Sequence, residues 1–250
     1  MRVVIAGFGP FPGAPSNPSG DLARALARRR RPALAEVDIT SHVFATAYAA
    51  VDRDLSKLLA QKPDVLLIFG LAGRRRHVCI ETRARNARSM LFSDVRGHRP
   101  DRRSIDAGES ALTGNAPFPR LLTALRRPGL PARLSRDAGT YLCNYAYWRA
   151  LQSVRHGRPL VQFVHIPQVS STPRRRTSKY QAPLLARLVN ACEQLLIASI
   201  AASRRSTPPI AAPRSPASAR PQNRSNCAAP AQRSARAPHA RSRQAAKTAR

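Results

Sequence analysis

Negative charge is what this chain has least of: 13 Asp and Glu stand against 43 Lys and Arg in 250 residues, a net charge of +30 with histidines neutral. Carboxylates this scarce make each acid with a chemical setting worth locating. Aromatic residues amount to 5%, with one Trp, which is thin for the stacking platforms that hold single-stranded nucleic acid. No apolar run approaches the roughly 20 residues of a membrane span. The amino terminus enters a strand-like segment directly, without the basic start and apolar stretch of a signal peptide. No membrane association is expected, and the cytoplasm is the expected compartment. The four cysteines, Cys79, Cys143, Cys192 and Cys227, lack metal-ligand spacing. Neither a metal nor any other cofactor is expected, and a reducing compartment suits a free thiol.

What is present is an alternation of strand and helix patterns over the first 203 residues. Apolar runs predict strands near 2–7, 37–44, 64–70, 78–85, 132–135 and 160–165, and 3.6-residue periodicity predicts helices near 19–31, 48–61, 117–127, 141–154 and 178–202. That order implies an α/β fold, a single domain whose mostly parallel sheet is flanked by helices on both faces. From Arg204 onward the composition changes: the last 47 residues carry 11 Lys and Arg, no Asp or Glu, abundant Ala, Pro and Ser, and one large aliphatic residue, Ile210. Such a segment has too little apolar surface to offset the entropy of ordering it. The expected division is a catalytic domain over 1–203 and a disordered basic tail over 204–250.

Candidate chemistry centres on Cys143. Ala132–Ser135 reads as a strand, Arg136–Gly139 as a turn, and the segment from Tyr141 as a helix, which puts the thiol in a helix's first turn. Unpaired N–H groups and the helix dipole there favour a thiolate and are expected to lower its pKa from about 8.5. The plain alternative is a small buried hydrophobe. His165 ends the apolar run Leu160–Val164, where residues at the carboxyl ends of strands face the ligand crevice of an α/β sheet. The other five histidines mostly lie among arginines or in polar stretches. Glu81 follows Val78-Cys79-Ile80 in a strand-like segment and suits the orienting role beside a histidine. An ordinary ion pair with Arg83 or Arg85 is the competing reading.

Three separated segments resemble the pyroglutamyl-peptidase I family, the cysteine peptidases that remove N-terminal pyroglutamate. They are Met1–Phe11 continued by Asn17-Pro18-Ser19, Gly70–Gly73 through Glu81 to Ala84 and Asn86, and Leu130–Ser135 with Asp137–Gly139 and Tyr141–Asn144; Val164–Pro167 then supplies the histidine motif. The resemblance covers roughly residues 1–200 and is weakest over Ser89–Arg127. It implies a Cys-His-Glu arrangement with Cys143 as nucleophile, His165 as base and Glu81 as orienting acid, acting on N-terminal pyroglutamyl peptides. It further implies that Phe8 and Phe11 wall a lactam pocket, that Asn17 and Leu71 belong to its surroundings, and that the chain self-associates. Asn17 also reads as the cap of the following helix, and Phe8 and Phe11 as hydrophobic anchors of their loop.

The chain departs from the family pattern at several points. Thr82 stands where a basic residue is usual, Cys79 where a hydroxyl is common, and Leu71 where many members have glutamine. The family's arginine beyond the glutamate motif has no clear counterpart among Arg85, Arg88 and Arg96. The competing function class is a catalytically weak relative acting as a basic, sequence-indifferent nucleic-acid- or anion-binding protein. Deletion after Ser203 separates the two roles. It is expected to leave kcat/KM for a small pyroglutamyl reporter within about twofold, while RNA titration shows weaker, still salt-sensitive binding. A large loss of turnover would contradict this division of the chain.

Overall fold

In the computed structural model the described residues are 1–11, 13–154, 156–169 and 185–205. Six strands form one sheet in the order β2-β1-β3-β8-β4-β7: β2 is Asp38–Phe44, β1 Arg2–Phe8, β3 Val65–Leu71, β8 Leu160–Ile166, β4 Val78–Glu81 and β7 Ala132–Ser135. All neighbouring strands run parallel except β4 and β8, which are antiparallel. The central strands β1, β3 and β8 are buried nearly end to end, as continuous apolar runs covered on both faces must be.

Helices α1 (Pro18–Ala27), α3 (Phe118–Arg126) and α5 (Leu185–Arg205) share one core layer with Val3, Ile5, Leu67, Val164 and Ile166. Helices α2 (Tyr48–Ala60) and α4 (Leu142–Gln152) share the other with Val4, Ala6, Phe8, Leu66, Ile68 and Phe163. The two sets of strand residues alternate, as the period of two requires. By length and composition α5 could cross a membrane, which contrasts with the reading of the sequence. Its apolar side, however, lies in the core with Leu188, Cys192, Leu195 and Leu196 fully buried.

Several elements differ from expectation. The first helix stops at Ala27, because the run Arg28–Arg31 offers no apolar face and Pro32 opens a 3₁₀ turn over Pro32–Leu34. The strand expected over 78–85 breaks after Glu81 into β4 and β5 (Arg83–Arg85), and β5 pairs antiparallel with an unanticipated β6 (Ala111–Thr113). The described part of the last helix starts at Leu185 and continues to Arg205, three residues past the expected helix end and two past the expected domain boundary. The tail from 206 lies outside the described residues.

The end of β1 sits hard against α1. The Ser19 hydroxyl accepts from Phe8 N–H at 3.0 Å and donates to Asn17 Oδ1 at 2.8 Å. A Cβ placed on Gly7 would lie 2.7 Å from Gly20 N and nearer still to the Ser19 carbonyl oxygen, both backbone atoms that cannot swing aside. Gly7→Ala is therefore expected to destabilise the fold by about 1–3 kcal/mol or more, read as a lower urea midpoint at unchanged slope. An unchanged midpoint would show that β1 and α1 are not held at this separation.

Candidate active site

The carboxyl edge of the sheet collects Phe8 at the end of β1, Leu71 at the end of β3 and His165, the last residue but one of β8. Helix α4 starts over that edge. The Asp137 carboxylate accepts from Gly139 N–H at 3.0 Å, Tyr141 is extended, and the first helical bond runs from Tyr145 N–H to the Tyr141 carbonyl. Cys143 is the second helical residue, so its N–H belongs to the group without an intrahelical partner. The thiol reaches the sheet because Gly70 has no side chain: a Cβ there would lie 2.8 Å from Cys143 Sγ and 2.7 Å from Phe163 Cζ.

The antiparallel pairing of β4 with β8 sets the acid. Cys79 lies directly opposite His165 in the register, and Glu81 opposite Phe163, which makes Glu81 the diagonal neighbour of His165 on the same face. His165 Nδ1 is 2.8 Å from Glu81 Oε1. The carboxylate accepts, so the ring proton sits on Nδ1 and Nε2 is left as the proton acceptor. Glu81 is 0% exposed, and its backbone carbonyl accepts from Tyr147 OH and Gln162 Nε2, each at 3.0 Å.

The same Oε1 meets Arg75 Nη1 at 2.6 Å. Neither Arg83 nor Arg85 is the ionic partner: Arg83 Nε donates to the Arg136 carbonyl, and Arg85 Nη1 pairs with Asp137 at 3.1 Å. Arg75 Nη2 also donates to the Asp137 carbonyl at 2.7 Å, linking the buried acid to the turn that precedes α4. A buried carboxylate without such a partner would be strongly unfavourable. The sequence reading missed Arg75. It sits in the run Arg74–Arg76, which reads as a solvated basic face, and its only signal was a position six residues before the one acid already singled out. Asn144 was missed as well: fully buried, it donates to the Arg85 and Ala87 carbonyls at 2.8 and 2.9 Å and accepts from Arg85 N–H at 2.8 Å, fixing α4 to β5 one residue after the thiol.

The expected depression of the thiol pKa is not found. Burial, reinforced by the negative charge of Glu81, pushes the Cys143 thiol up to about 12, against the opposing pull of its own backbone N–H and Arg75. The helix terminus is outweighed because the partly buried thiol is packed between Gly70, Phe163 and the helix, with only part of the residue open to the cavity.

Phe8, Phe11, Asn17, Thr46, Leu71, His165 and the segment Ala138–Cys143 enclose a cavity of about 160 Å³. Phe8 is not in a loop: it closes β1, is 1% exposed and packs on Phe44 and Phe163 with ring centroids 5.4 and 6.4 Å away. It is core and wall at once. Phe11 is partly buried and faces Tyr141 across 6.3 Å. Asn17 combines both readings, since it caps α1 through Ser19 N–H at 3.2 Å, donates to the Gly9 carbonyl at 2.9 Å and also lines the cavity. The Thr46 hydroxyl lies 3.1 Å from that same carbonyl, so the loop between Phe8 and Phe11 is gripped from two sides.

Residues 1–205 match the family described as pyroglutamyl peptidase. A pyrrolidone-carboxylate peptidase of Vibrio vulnificus (strain YJ016) is 31% identical over 200 residues, covering 78% of this chain and 91% of that protein. One from Clavibacter michiganensis subsp. michiganensis (strain NCPPB 382) is 34% identical over 169 residues, covering 66% and 78%. Among solved structures, the pyrrolidone carboxyl peptidase from Thermococcus litoralis superimposes with a TM-score of 0.72 at 26% identity, covering 85% of this chain and 99% of that one.

The raised thiol pKa has a direct consequence for alkylation. Below its pKa Cys143 is a neutral thiol, so inactivation of the free protein by iodoacetamide is expected to accelerate about tenfold per unit from about pH 7 to pH 9 without levelling. A rate already flat near pH 7 would mean that the resting cysteine is a thiolate.

Proposed function

The chain belongs to the pyroglutamyl peptidase family of cysteine peptidases, and from that membership we propose that it removes N-terminal pyroglutamate from peptides, with Cys143 as nucleophile, His165 as base and Glu81 as the acid that orients the base. The observation that carries this reading is the 2.8 Å contact of His165 Nδ1 with Glu81 Oε1, behind a cavity lined by both His165 and Cys143.

The chemistry starts from a neutral thiol. As the sulfur attacks the pyroglutamyl carbonyl carbon, its proton passes to His165 Nε2, and Glu81 stabilises the imidazolium that forms. The tetrahedral oxyanion takes the Cys143 N–H, one of the helix's free donors. Collapse breaks the carbon–nitrogen bond, and the imidazolium proton goes to the departing amine, leaving a thioester. Water then gives its proton to His165 as its oxygen attacks the thioester carbon. Loss of the sulfur, which recovers that proton, frees pyroglutamate.

The cavity accords with the substrate's size and polarity. An apolar void of about 150 Å³ holds a six-membered benzene ring, so about 160 Å³ suits a five-membered lactam. Phe8, Phe11 and Leu71 offer apolar contact to the ring, while Asn17 and Thr46 stiffen the loop behind it. Leu71 adds no polar group where a hydrogen bond to the lactam amide would be useful, which leaves backbone atoms of the segment 138–142 for that task.

A catalytic domain over 1–203, which α5 carries on to Arg205, a basic carboxyl-terminal segment offering nucleic acid a sequence-indifferent attachment, self-association and residence in the cytoplasm complete the proposal. What supports that segment's part is composition, 11 Lys and Arg with no acid over 204–250.

Cys143→Ser is expected to abolish hydrolysis of a pyroglutamyl-amide reporter with the fold intact, whereas Cys192→Ser, altered inside α5, keeps it. Prolyl and alanyl analogues are not cleaved. His165→Ala should lower kcat/KM by about 10²–10⁴, and Glu81→Gln by less, because the amide oxygen still accepts from Nδ1. A Cys143→Ser protein with near-normal turnover overturns the proposal, and a Glu81→Gln enzyme equal to the wild type reduces Glu81 to the ionic partner of Arg75.

A further inference from the structure

A second hollow, of about 360 Å³, opens where α3, α5 and the turn before β8 meet. Its wall includes Leu160, the first residue of β8, whereas His165 is five residues further along that strand, about 16 Å at roughly 3.3 Å per residue. The hollow and the peptidase cavity therefore lie at opposite edges of the sheet, and they share no lining residue.

Arginines from three elements line it: Arg120 of α3, Arg158 of the turn and Arg205 at the end of α5. Among the described residues no carboxylate does. Asp64, which is not a lining residue, holds Arg158 at 2.6 Å and has its other oxygen taken by Arg2 N–H at 2.8 Å. Arg120 and Arg205 are exposed and enter no ion pair among the described residues. All 13 Asp and Glu of the chain are described residues, so no other acidic side chain is left to neutralise these two. The walls, by contrast, are fixed. The Asn115 side chain donates to the Gly157 and Pro159 carbonyls, each at 2.8 Å, and accepts from Val161 N–H at 2.9 Å. Arg158 Nη2 donates to the Ser203 carbonyl at 3.1 Å, which ties the turn to α5.

Three guanidinium groups against one carboxylate leave two positive charges, and a phosphomonoester carries about −1.5 to −2 near pH 7. The planar fork of arginine matches phosphate oxygens in pairs. The hollow is also more than twice the roughly 150 Å³ that holds a benzene ring, so a phosphoryl group fills only part of it. We propose that it binds a small organic phosphomonoester, with the phosphoryl group held by Arg120 and Arg205 and the carbon skeleton laid against Pro117, Leu160 and Ala202. Arg158, already engaged by Asp64, adds its charge to the field at that position. The site takes no part in peptide hydrolysis.

The test titrates the full-length protein by calorimetry at physiological salt with ribose 5-phosphate and AMP, and with ribose, adenosine, inorganic phosphate and a short RNA lacking terminal phosphates as comparisons. Saturable one-to-one binding of at least one of the two monoesters is expected, with none of ribose or adenosine. In the double variant Arg120→Ser/Arg205→Ser that affinity is expected to fall about tenfold or more, as the loss of charged hydrogen bonds implies. The double variant Arg99→Ser/Arg102→Ser removes the same charge from exposed positions elsewhere and is expected to leave it unchanged. All four side chains are exposed, and urea melts check that both variants are folded. Absence of saturation with either monoester overturns the inference. So does an equal loss in both double variants, which would assign binding to net charge, or an RNA affinity that matches the monoesters. Inorganic phosphate bound as tightly as the esters would contradict the place given to the carbon skeleton.

Discussion

A single carboxylate oxygen, Glu81 Oε1, holds the site together. It faces His165 Nδ1 at 2.8 Å and Arg75 Nη1 at 2.6 Å, and it does so in an interior where an unpaired charge would be prohibitive. Arg75 balances the charge of the carboxylate oxygen that also faces the imidazole. Because Arg75 also grips the Asp137 carbonyl, Glu81 is mechanically tied to the turn that launches α4, and α4 carries the thiol. The proposed base, acid and nucleophile come from a strand, a neighbouring strand and a helix, and this arginine spans two of those connections.

The fold supplies that meeting through one reversal of direction. If β4 ran parallel to β8, the diagonal relation of Glu81 to His165 would not arise in this register. The antiparallel pairing sets Glu81 opposite Phe163, two residues below His165 along β8 and out of water, while His165 lines the cavity. Gly70 and Gly7 are the matching concessions in packing: one lets the thiol approach the sheet, the other lets α1 approach the strand that ends in Phe8. Side chains at either position would push apart layers whose separation defines the cavity.

Much of this was legible in the sequence, and the reason is local. Cys143, His165 and Glu81 each sit where a pattern changes, at a helix start or a strand end, and continuous apolar runs marked the central strands correctly. What escaped reading depends on contacts between distant segments. Arg75 was hidden in an arginine run because its role exists only once β4 folds back beside β8. The break after Glu81 was invisible because the alternation of residues continues through Thr82, whose backbone and hydroxyl turn to the Ser135 carbonyl at 2.7 and 3.0 Å. Asn144 looked like an ordinary helix residue until β5 came to lie against it. The thiol's pKa failed for the same reason: a helix start is read from sequence, but the burial that outweighs its dipole is contributed by Gly70 and Phe163 across the interface.

The central claim is that Cys143 sulfur becomes covalently bonded to the pyroglutamyl group during turnover. Acid quenching of the enzyme in the steady state, followed by proteolysis and mass spectrometry, addresses it directly. The account predicts that the fragment containing Cys143, and no other cysteine-bearing fragment, carries the added mass of one pyroglutamyl group, and that the adduct vanishes once substrate is exhausted. A fully active enzyme that shows no adduct under conditions where thioester hydrolysis is made rate-limiting, or an adduct on Cys79 or Cys192, would contradict it.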